Sequence, residues 1–248
     1  MTSRLRFEHS PSPNHGERAP GTPVDMLILH YTGMPSAERA LKWLTDAESG
    51  VSSHYFVFED GRIAHLVDED RRAWHAGQSL WAGESDINSR SIGIEIANPG
   101  REFGYVPFPD VQVAAVIELC RDILSRHAIP PERVLAHSDV APLRKEDPGE
   151  LLPWDRLHEA GIGHWVPPEP IGPGPVLRPG DRGDAVTNLR AKFRAYGYGL
   201  EPGPDFDADT AAVVRAFQRH FRQSQVDGVA DISTVRTLAR LAAEMRQD

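Results

Sequence analysis

The sequence predicts an α/β protein in which a mixed central sheet is flanked by helices, followed by a small three-helix domain. Three observations predict this. Apolar runs of strand length alternate with amphipathic helical patterns up to about residue 158, the alternation expected of a sheet sandwiched by helices. Between Pro153 and Pro175 the composition turns to proline and glycine. Beyond that stretch, apolar residues recur at helical spacing. With 248 residues, the chain is long enough for one mid-sized domain and one small one.

Val24–Tyr31 is almost continuously apolar, as in a strand covered on both faces. It carries His30 near its end. Residues 36–47 read as a helix with Ala40, Leu41 and Leu44 on one face and Ser36 as N-cap. Residues 51–58 and 62–67 flank Asp60-Gly61 and predict a hairpin. Ser91–Ile96 alternates, with Ile92, Ile94 and Ile96 on one face and Ser91, Gly93 and Glu95 on the other. A carboxylate in such a run is costly to bury without a partner or a purpose. Asp110–His127 is an amphipathic helix and Val134–His137 a fourth strand. Pro167-Pro168, Pro170, Pro173 and Pro175, interleaved with Gly172 and Gly174, read as a semi-rigid linker over 167–176. Three helical patterns follow within 177–248, at 184–196, 207–221 and 232–245, with Asp207 and Asp231 as N-caps. Asp205, Asp207 and Asp209 mimic the start of a calcium loop. Thr210 stands where glycine is required and Ala216 where the closing glutamate belongs, so capping is the reading kept.

Composition excludes several functions. Hydrophobic content of 40% and charged content of 25% are ordinary for a globular protein, and the net charge of -9 disfavours nucleic acid as a partner. The single cysteine, Cys120, excludes an internal disulfide and a cysteine zinc cluster; its apolar helical setting reads as packing. No apolar stretch approaches membrane-spanning length. Residues 1–20 are polar and proline-bearing, with neither the apolar core of a signal peptide nor a lipobox cysteine. They read as a flexible segment ahead of a domain over 21–166. The expected compartment is the cytoplasm, or the periplasm or envelope if an export signal has been removed.

The chemistry centres on residues 136–149. His137 ends an apolar run, and the loop behind it carries Lys145 and Asp147 before Pro148-Gly149. Histidine and aspartate are ligand types that zinc takes from protein, and His30 supplies a third at another strand end. His30, Glu95 and His137 all fall at or near strand ends, where α/β sheets bind ligands. His54, His65 and His75 compete as ligands. His54 lies mid-strand and reads as a packing or hydrogen-bonding residue, His65 as an exposed strand residue, and His75 as either a substrate contact or a structural residue. Spacing alone leaves the reaction open.

The segments His30-Tyr31-Thr32, Val51-Ser52-Ser53-His54-Tyr55, Ala73-Trp74-His75-Ala76-Gly77, Ser91–Ile96, His137-Ser138-Asp139-Val140-Ala141-Pro142, Arg144–Gly149 and Pro153-Trp154 resemble the type 2 N-acetylmuramoyl-L-alanine amidases, in their AmiD- and AmpD-like branch. The resemblance covers about residues 20–158 in order. Residues 180–228 more loosely resemble the three-helix peptidoglycan-binding module.

The resemblance implies the amidase fold shared with peptidoglycan recognition proteins. It also implies one zinc on His30, His137 and Asp147, and hydrolysis of the amide between N-acetylmuramic acid, or its anhydro form, and L-alanine in peptidoglycan or muropeptides. Glu95 would move the proton, and Lys145 would stabilise the oxyanion with the zinc. Trp74, His75, His54 and Asn88 are the candidate substrate contacts. Ser53 stands where some relatives place a tyrosine; nothing is lost by this if Glu95 carries the base role, as the resemblance to the AmpD-like branch implies. Rival readings are a phage-type lysin with the same chemistry and a non-catalytic peptidoglycan-binding protein. The linker is expected to hold the module near the cleft without fixing its orientation, so that cutting after about Pro168 spares hydrolysis of soluble substrate.

Overall fold

The computed structural model describes residues 5–245. In chain order, its strands are β1 (Phe7–His9), β2 (His15–Glu17), β3 (Met26–Tyr31), β4 (Tyr55–Val57), β5 (Ile63–His65), β6 (Arg71–Ala73), β7 (Ser91–Ile96) and β8 (Val134–Ala136). The α-helices are α1 (Ala37–Thr45), α2 (Ile87–Arg90), α3 (Gly100–Phe103), α4 (Asp110–Leu124), α5 (His137–Val140), α6 (Trp154–Glu159), α7 (Asp184–Tyr196), α8 (Ala208–Phe221) and α9 (Ile232–Glu244). The main sheet runs β1-β5-β4-β7-β3-β8, and β2 and β6 form a separate antiparallel ribbon. β3 pairs in parallel with both β7 and β8, and β4 and β5 form the antiparallel hairpin around Gly61, whose φ is +85°.

Register sorts the side chains between two faces. Leu27 lies opposite Ile92 and Leu29 opposite Ile94 and Ala136. These residues pack with Val113, Val116, Leu119, Cys120 and Ile123 of α4 and Trp154 of α6. The alternate positions pair Ile28 with Gly93 and His30 with Glu95 on the opposite face. There α1 covers Phe56 and Ala64 at one side, through Ala37, Ala40 and Leu44. Met26, Ile28 and Leu135 are covered at the other side, and a cleft stays open between.

The N-caps at Ser36, Asp207 and Asp231 all form, each side chain accepting from the backbone three residues on. Asp207 is also paired with Arg190, and Asp205 with Arg182, so the acidic cluster is spent on protein partners. Two elements are shorter than their sequence patterns. Residues 51–54 form a loop leading into β4, and His137 starts α5 instead of ending a strand.

Two expectations about the ends of the amidase-like region are corrected. From residue 5 onward, the segment expected to be flexible is built into the fold; residues 1–4 lie outside the described residues. β1 adds to the sheet edge beside β5, and β2 pairs with β6. Arg18 then crosses the back of the site, its guanidinium bonding the carbonyls of Glu69, Asn88, Ser89 and Ser91. Guanidinium recognition of buried carbonyls leaves no trace in composition.

The Pro/Gly stretch is likewise strapped down. Glu169 N–H donates to Thr237 Oγ1 at 3.0 Å, Arg240 donates to Pro167 O at 2.8 Å, and Leu177 exchanges two backbone bonds with Ala230. The helices it leads to share one apolar core with the sheet, running from Met26, Ile28 and Leu135 through Ala76, Trp81 and Val140 to Phe193, Phe217 and Leu238. Their orientation on the sheet is therefore fixed by packing.

Candidate active site

Three elements deliver the central triad. β3 presents His30 at its C-terminal end, α5 begins with His137, and the loop behind α5 folds Asp147 back over both. His30 Nδ1 lies 2.9 Å from His137 Nδ1, and Asp147 Oδ2 lies 3.0 Å from each. All three residues are buried. Among the described residues this is the one cluster of histidine, cysteine or acidic side chains with donor atoms close enough to share a metal ion.

The donor set fits a zinc ion. Ligands at tetrahedral zinc, bonded at 2.0–2.1 Å, lie roughly 3.3 Å apart, close to the separations seen here. The outer nitrogen of each histidine is engaged elsewhere: His30 Nε2 with His75 Nδ1 at 3.0 Å, and His137 Nε2 with the Ala76 carbonyl at 3.0 Å. Both Nδ1 atoms therefore face the shared centre. Burial, with the neighbouring His137, pushes the His30 pKa down to about 4, so this imidazole is neutral at neutral pH. Burial alone would raise the Asp147 pKa. The close approach of His137 first, and of His30, overrides it and holds the carboxyl far below the usual range.

Glu95 lies directly across from His30 in the β3–β7 register, on the same face. Its Oε2 is buried with no hydrogen-bond partner among the described residues. Burial and the nearby Asp147 push its pKa well above the ordinary value, with Lys145 opposing. A buried carboxylate oxygen without a partner is expensive and marks a position kept for something other than stability. Glu95, Lys145 and Trp74 line the cleft of about 420 Å³ that opens onto the triad, together with Tyr31, Thr32, Trp43, Arg101 and Arg144.

The candidate substrate contacts divide. Trp74 lines the cleft. His54 does not: it is wholly buried, Nε2 against Arg18 and Nδ1 accepting from Gly93 N–H at 3.0 Å. Asn88 is also withdrawn, its Oδ1 accepting from the backbone N–H groups of His75 and Ala76 and so shaping their loop. His75 touches the cleft, but its hydrogen bonds are committed behind it. Ser91 Oγ donates to Ile87 O at 2.6 Å, so it accepts from His75 Nε2–H at 3.1 Å. His75 Nδ1 is then left to accept from His30 Nε2–H, which fixes the His30 tautomer with a lone pair on Nδ1. His54 and Asn88 as substrate contacts are thus corrected to supporting residues, and His75 supports His30. Ser53 is buried, its hydroxyl donating to Tyr55 O.

Sequence reasoning passed over Arg18 and Arg144. Arg144 donates to Gln78 O at 2.8 Å and to Ala76 O, closing the loop that holds His137 Nε2. In the sequence Arg144 stands at the head of the Arg144–Gly149 segment, with nothing to mark a role of its own.

The N-acetylmuramoyl-L-alanine amidase family profile matches residues 20–150, and that of the putative peptidoglycan binding domain matches residues 182–238. The chain is 36% identical over 237 residues to the N-acetylmuramoyl-L-alanine amidase AmiD of Escherichia coli K12, covering 91% of this chain and 84% of that protein. The solved complex of E. coli AmiD with anhydro-N-acetylmuramic acid-L-Ala-D-gamma-Glu-L-Lys superposes with a TM-score of 0.77, at 36% identity, over 94% of each chain. AmpDh3 of Pseudomonas aeruginosa in complex with anhydromuramic pentapeptide superposes with a TM-score of 0.75, at 32% identity, over 99% of this chain and 98% of that one. The profile spans more than half of the residues and the likeness runs through sheet and helices alike, so the chain belongs to the N-acetylmuramoyl-L-alanine amidase family.

Proposed function

We propose that the cleft is a zinc amidase centre, with one zinc held by His30 Nδ1, His137 Nδ1 and Asp147 Oδ2. The bond cleaved is the amide between N-acetylmuramic acid, or its anhydro form, and the L-alanine of the stem peptide. The observation that carries this reading is the convergence of three donor atoms beside an unpartnered Glu95 oxygen in one cleft. Three protein ligands leave a coordination position open, as in catalytic sites. When bound there, zinc would supply Lewis acidity, acidifying a water and polarising the amide carbonyl.

The chain's own groups supply the rest. Glu95 would accept the proton of the attacking water at Oε2 and deliver it to the departing amine. The Lys145 ammonium lines the same cleft and would stabilise the oxyanion of the tetrahedral intermediate. Trp74 and Trp43 would wall the bound fragment. The two solved relatives that carry anhydromuramic peptides support a muropeptide as substrate, and the second profile supports binding of peptidoglycan. The complete donor set argues against a purely binding role. No helix among the described residues is long and apolar enough to cross a membrane.

The test is mass spectrometry of products from sacculi and from a defined anhydro-muropeptide, alongside metal analysis. Wild type should release the lactyl carboxylate and the free stem peptide, with stoichiometric zinc. His30→Ala should lose both metal and activity. Glu95→Ala and Lys145→Ala should keep zinc while Glu95→Ala loses roughly 10²- to 10⁴-fold in rate. Stoichiometric zinc retained by His30→Ala would sink the ligand assignment, and full activity in Glu95→Ala the base assignment.

A further inference from the structure

The helices beyond residue 183 do more at the cleft than pack against it. His137 is the first residue of α5, a four-residue helix at whose end Ala141 N–H donates to His137 O at 3.0 Å. Such a turn has little stiffness of its own. What holds it is Asp139, a wholly buried carboxylate. Its Oδ2 accepts from Ala136 N–H at 2.8 Å, tying the turn to the end of β8. Two further donors come from the helical region: Tyr198 O–H to Oδ1 at 2.7 Å, and His220 Nδ1–H to Oδ2 at 2.7 Å.

The His220 ring is stacked between Trp154 and Phe221, with centroids at 3.7 and 3.8 Å. Its Nε2 has no hydrogen-bond partner among the described residues, so the ring's hydrogen bonding is aimed at Asp139 alone. The same region grips both neighbours of the turn. Gln223 donates to Glu150 O and Leu152 O at 2.7 and 2.6 Å, behind Asp147. Ala82 N–H donates to Gly197 O at 2.7 Å, beyond the loop whose Ala76 carbonyl faces His137 Nε2.

We propose that Tyr198 and His220 are positioning residues of the metal centre, acting through Asp139 on His137. The inference rests on the zinc reading above. In physical terms, a buried carboxylate with three donors is rigid, whereas one stripped of two donors reorients or recruits water and releases the turn it anchors. The Nδ1 of His137 then loses its fixed aim. Outer supports of this kind typically change metal affinity or activity by roughly 10- to 100-fold. The peptidoglycan-binding region is on this reading a part of the catalytic architecture as well as an anchor.

The experiment uses the full chain and four variants: Tyr198→Phe, His220→Ala, His220→Asn and the double variant Tyr198→Phe/His220→Ala. Zinc affinity is measured by chelator competition, kcat and KM on soluble anhydro-muropeptide, retention on sacculi by sedimentation, and folding by thermal midpoint. Tyr198→Phe and His220→Ala should each weaken zinc binding by about 10- to 100-fold and lower kcat, with KM and sacculus retention unchanged. His220→Asn, whose amide can reach the same oxygen, should recover most of both losses. Tyr198→Phe removes one oxygen and keeps the ring, so it decides the matter if His220→Ala lowers the thermal midpoint. Wild-type zinc affinity and kcat in a folded double variant would overturn the inference and leave the amidase reading standing. A wild-type chain that binds no zinc would overturn both.

Discussion

Gly93 offers the sharpest test of how the sheet positions the centre. It lies in β7, opposite Ile28 and two residues before Glu95, on the face that carries His30. A Cβ built there would fall 2.5 Å from Cγ of His75, 2.6 Å from Cδ2 and 2.7 Å from Nδ1. Ordinary contact begins near 3.4 Å. The ring must therefore retreat by on the order of 1 Å, into the side already filled by His54 and His30 at centroid distances of 5.8 and 5.1 Å. Its Nδ1 is the atom that accepts from His30 Nε2 at 3.0 Å, and a shift of that size breaks the bond. Gly93 has no left-handed φ, so alanine suits its backbone and would by itself stabilise a strand by about 0.5–1 kcal/mol. Against that, overpacking costs about 1–3 kcal/mol. Gly93→Ala should be destabilised by about 1–2 kcal/mol in urea unfolding of the metal-free protein. Chelator competition should show zinc held roughly 10- to 100-fold more weakly. A Gly93→Ala protein at least as stable as wild type, with unchanged zinc affinity, would refute the role given to His75.

Three further outcomes follow from the packing. Burial pushes the Glu69 carboxyl up, but hydrogen bonds from Arg126, His127 and Tyr55 override it and bring the pKa down from 4.5 to about 2. A depressed carboxylate contributes stability that is present above pH 4.5 and lost as pH falls through about 2. Glu69→Gln should therefore cost about 1–3 kcal/mol at pH 6 and flatten the acid side of the stability profile, as read by denaturant unfolding at pH 6 and pH 3. Trp81→Ala removes a buried indole set against Tyr198 at 4.9 Å and should cost about 3–5 kcal/mol, lowering activity on soluble muropeptide and sacculi together. Cutting the chain after Pro168 should give a protein with a lowered thermal midpoint and reduced activity on soluble substrate, because it strips the cover from Trp81, Ile87 and Val140; full soluble activity in the truncated protein would contradict the shared core.

How much of this could be read in advance depends on where each residue's partners lie. The strands around His30 and Glu95 were legible because a buried parallel strand is a run of apolar residues and register follows from alternation. Ser36, Asp207 and Asp231 were legible because a cap is a local bond. Arg18 was not, since its partners are four backbone carbonyls with no side-chain signature. β1 and β2 are three residues each and largely polar, too short for any period to show. His54 was misplaced because what surrounds it is that same arm. Asp139 stood in a quoted motif, yet its two decisive donors come 59 and 81 residues later. The Pro/Gly stretch read as a spacer because its anchors are backbone groups meeting Thr237 and Arg240.

The shared core has a consequence for how the protein is born. Chains fold as they are synthesised, from the N-terminus onward. All three metal-ligand candidates have been added by residue 147, and the strand that carries His30 meets its last neighbour at β8. On the His30 face of that strand, Met26 and Ile28 join a core that is completed by side chains from α7, α8 and α9. A chain ending between Pro168 and Phe221 would thus carry all three candidate ligands on an unfinished scaffold. On the proposed reading, hydrolytic competence would wait for α8, which brings His220 to Asp139, and for α9, which completes the shared core.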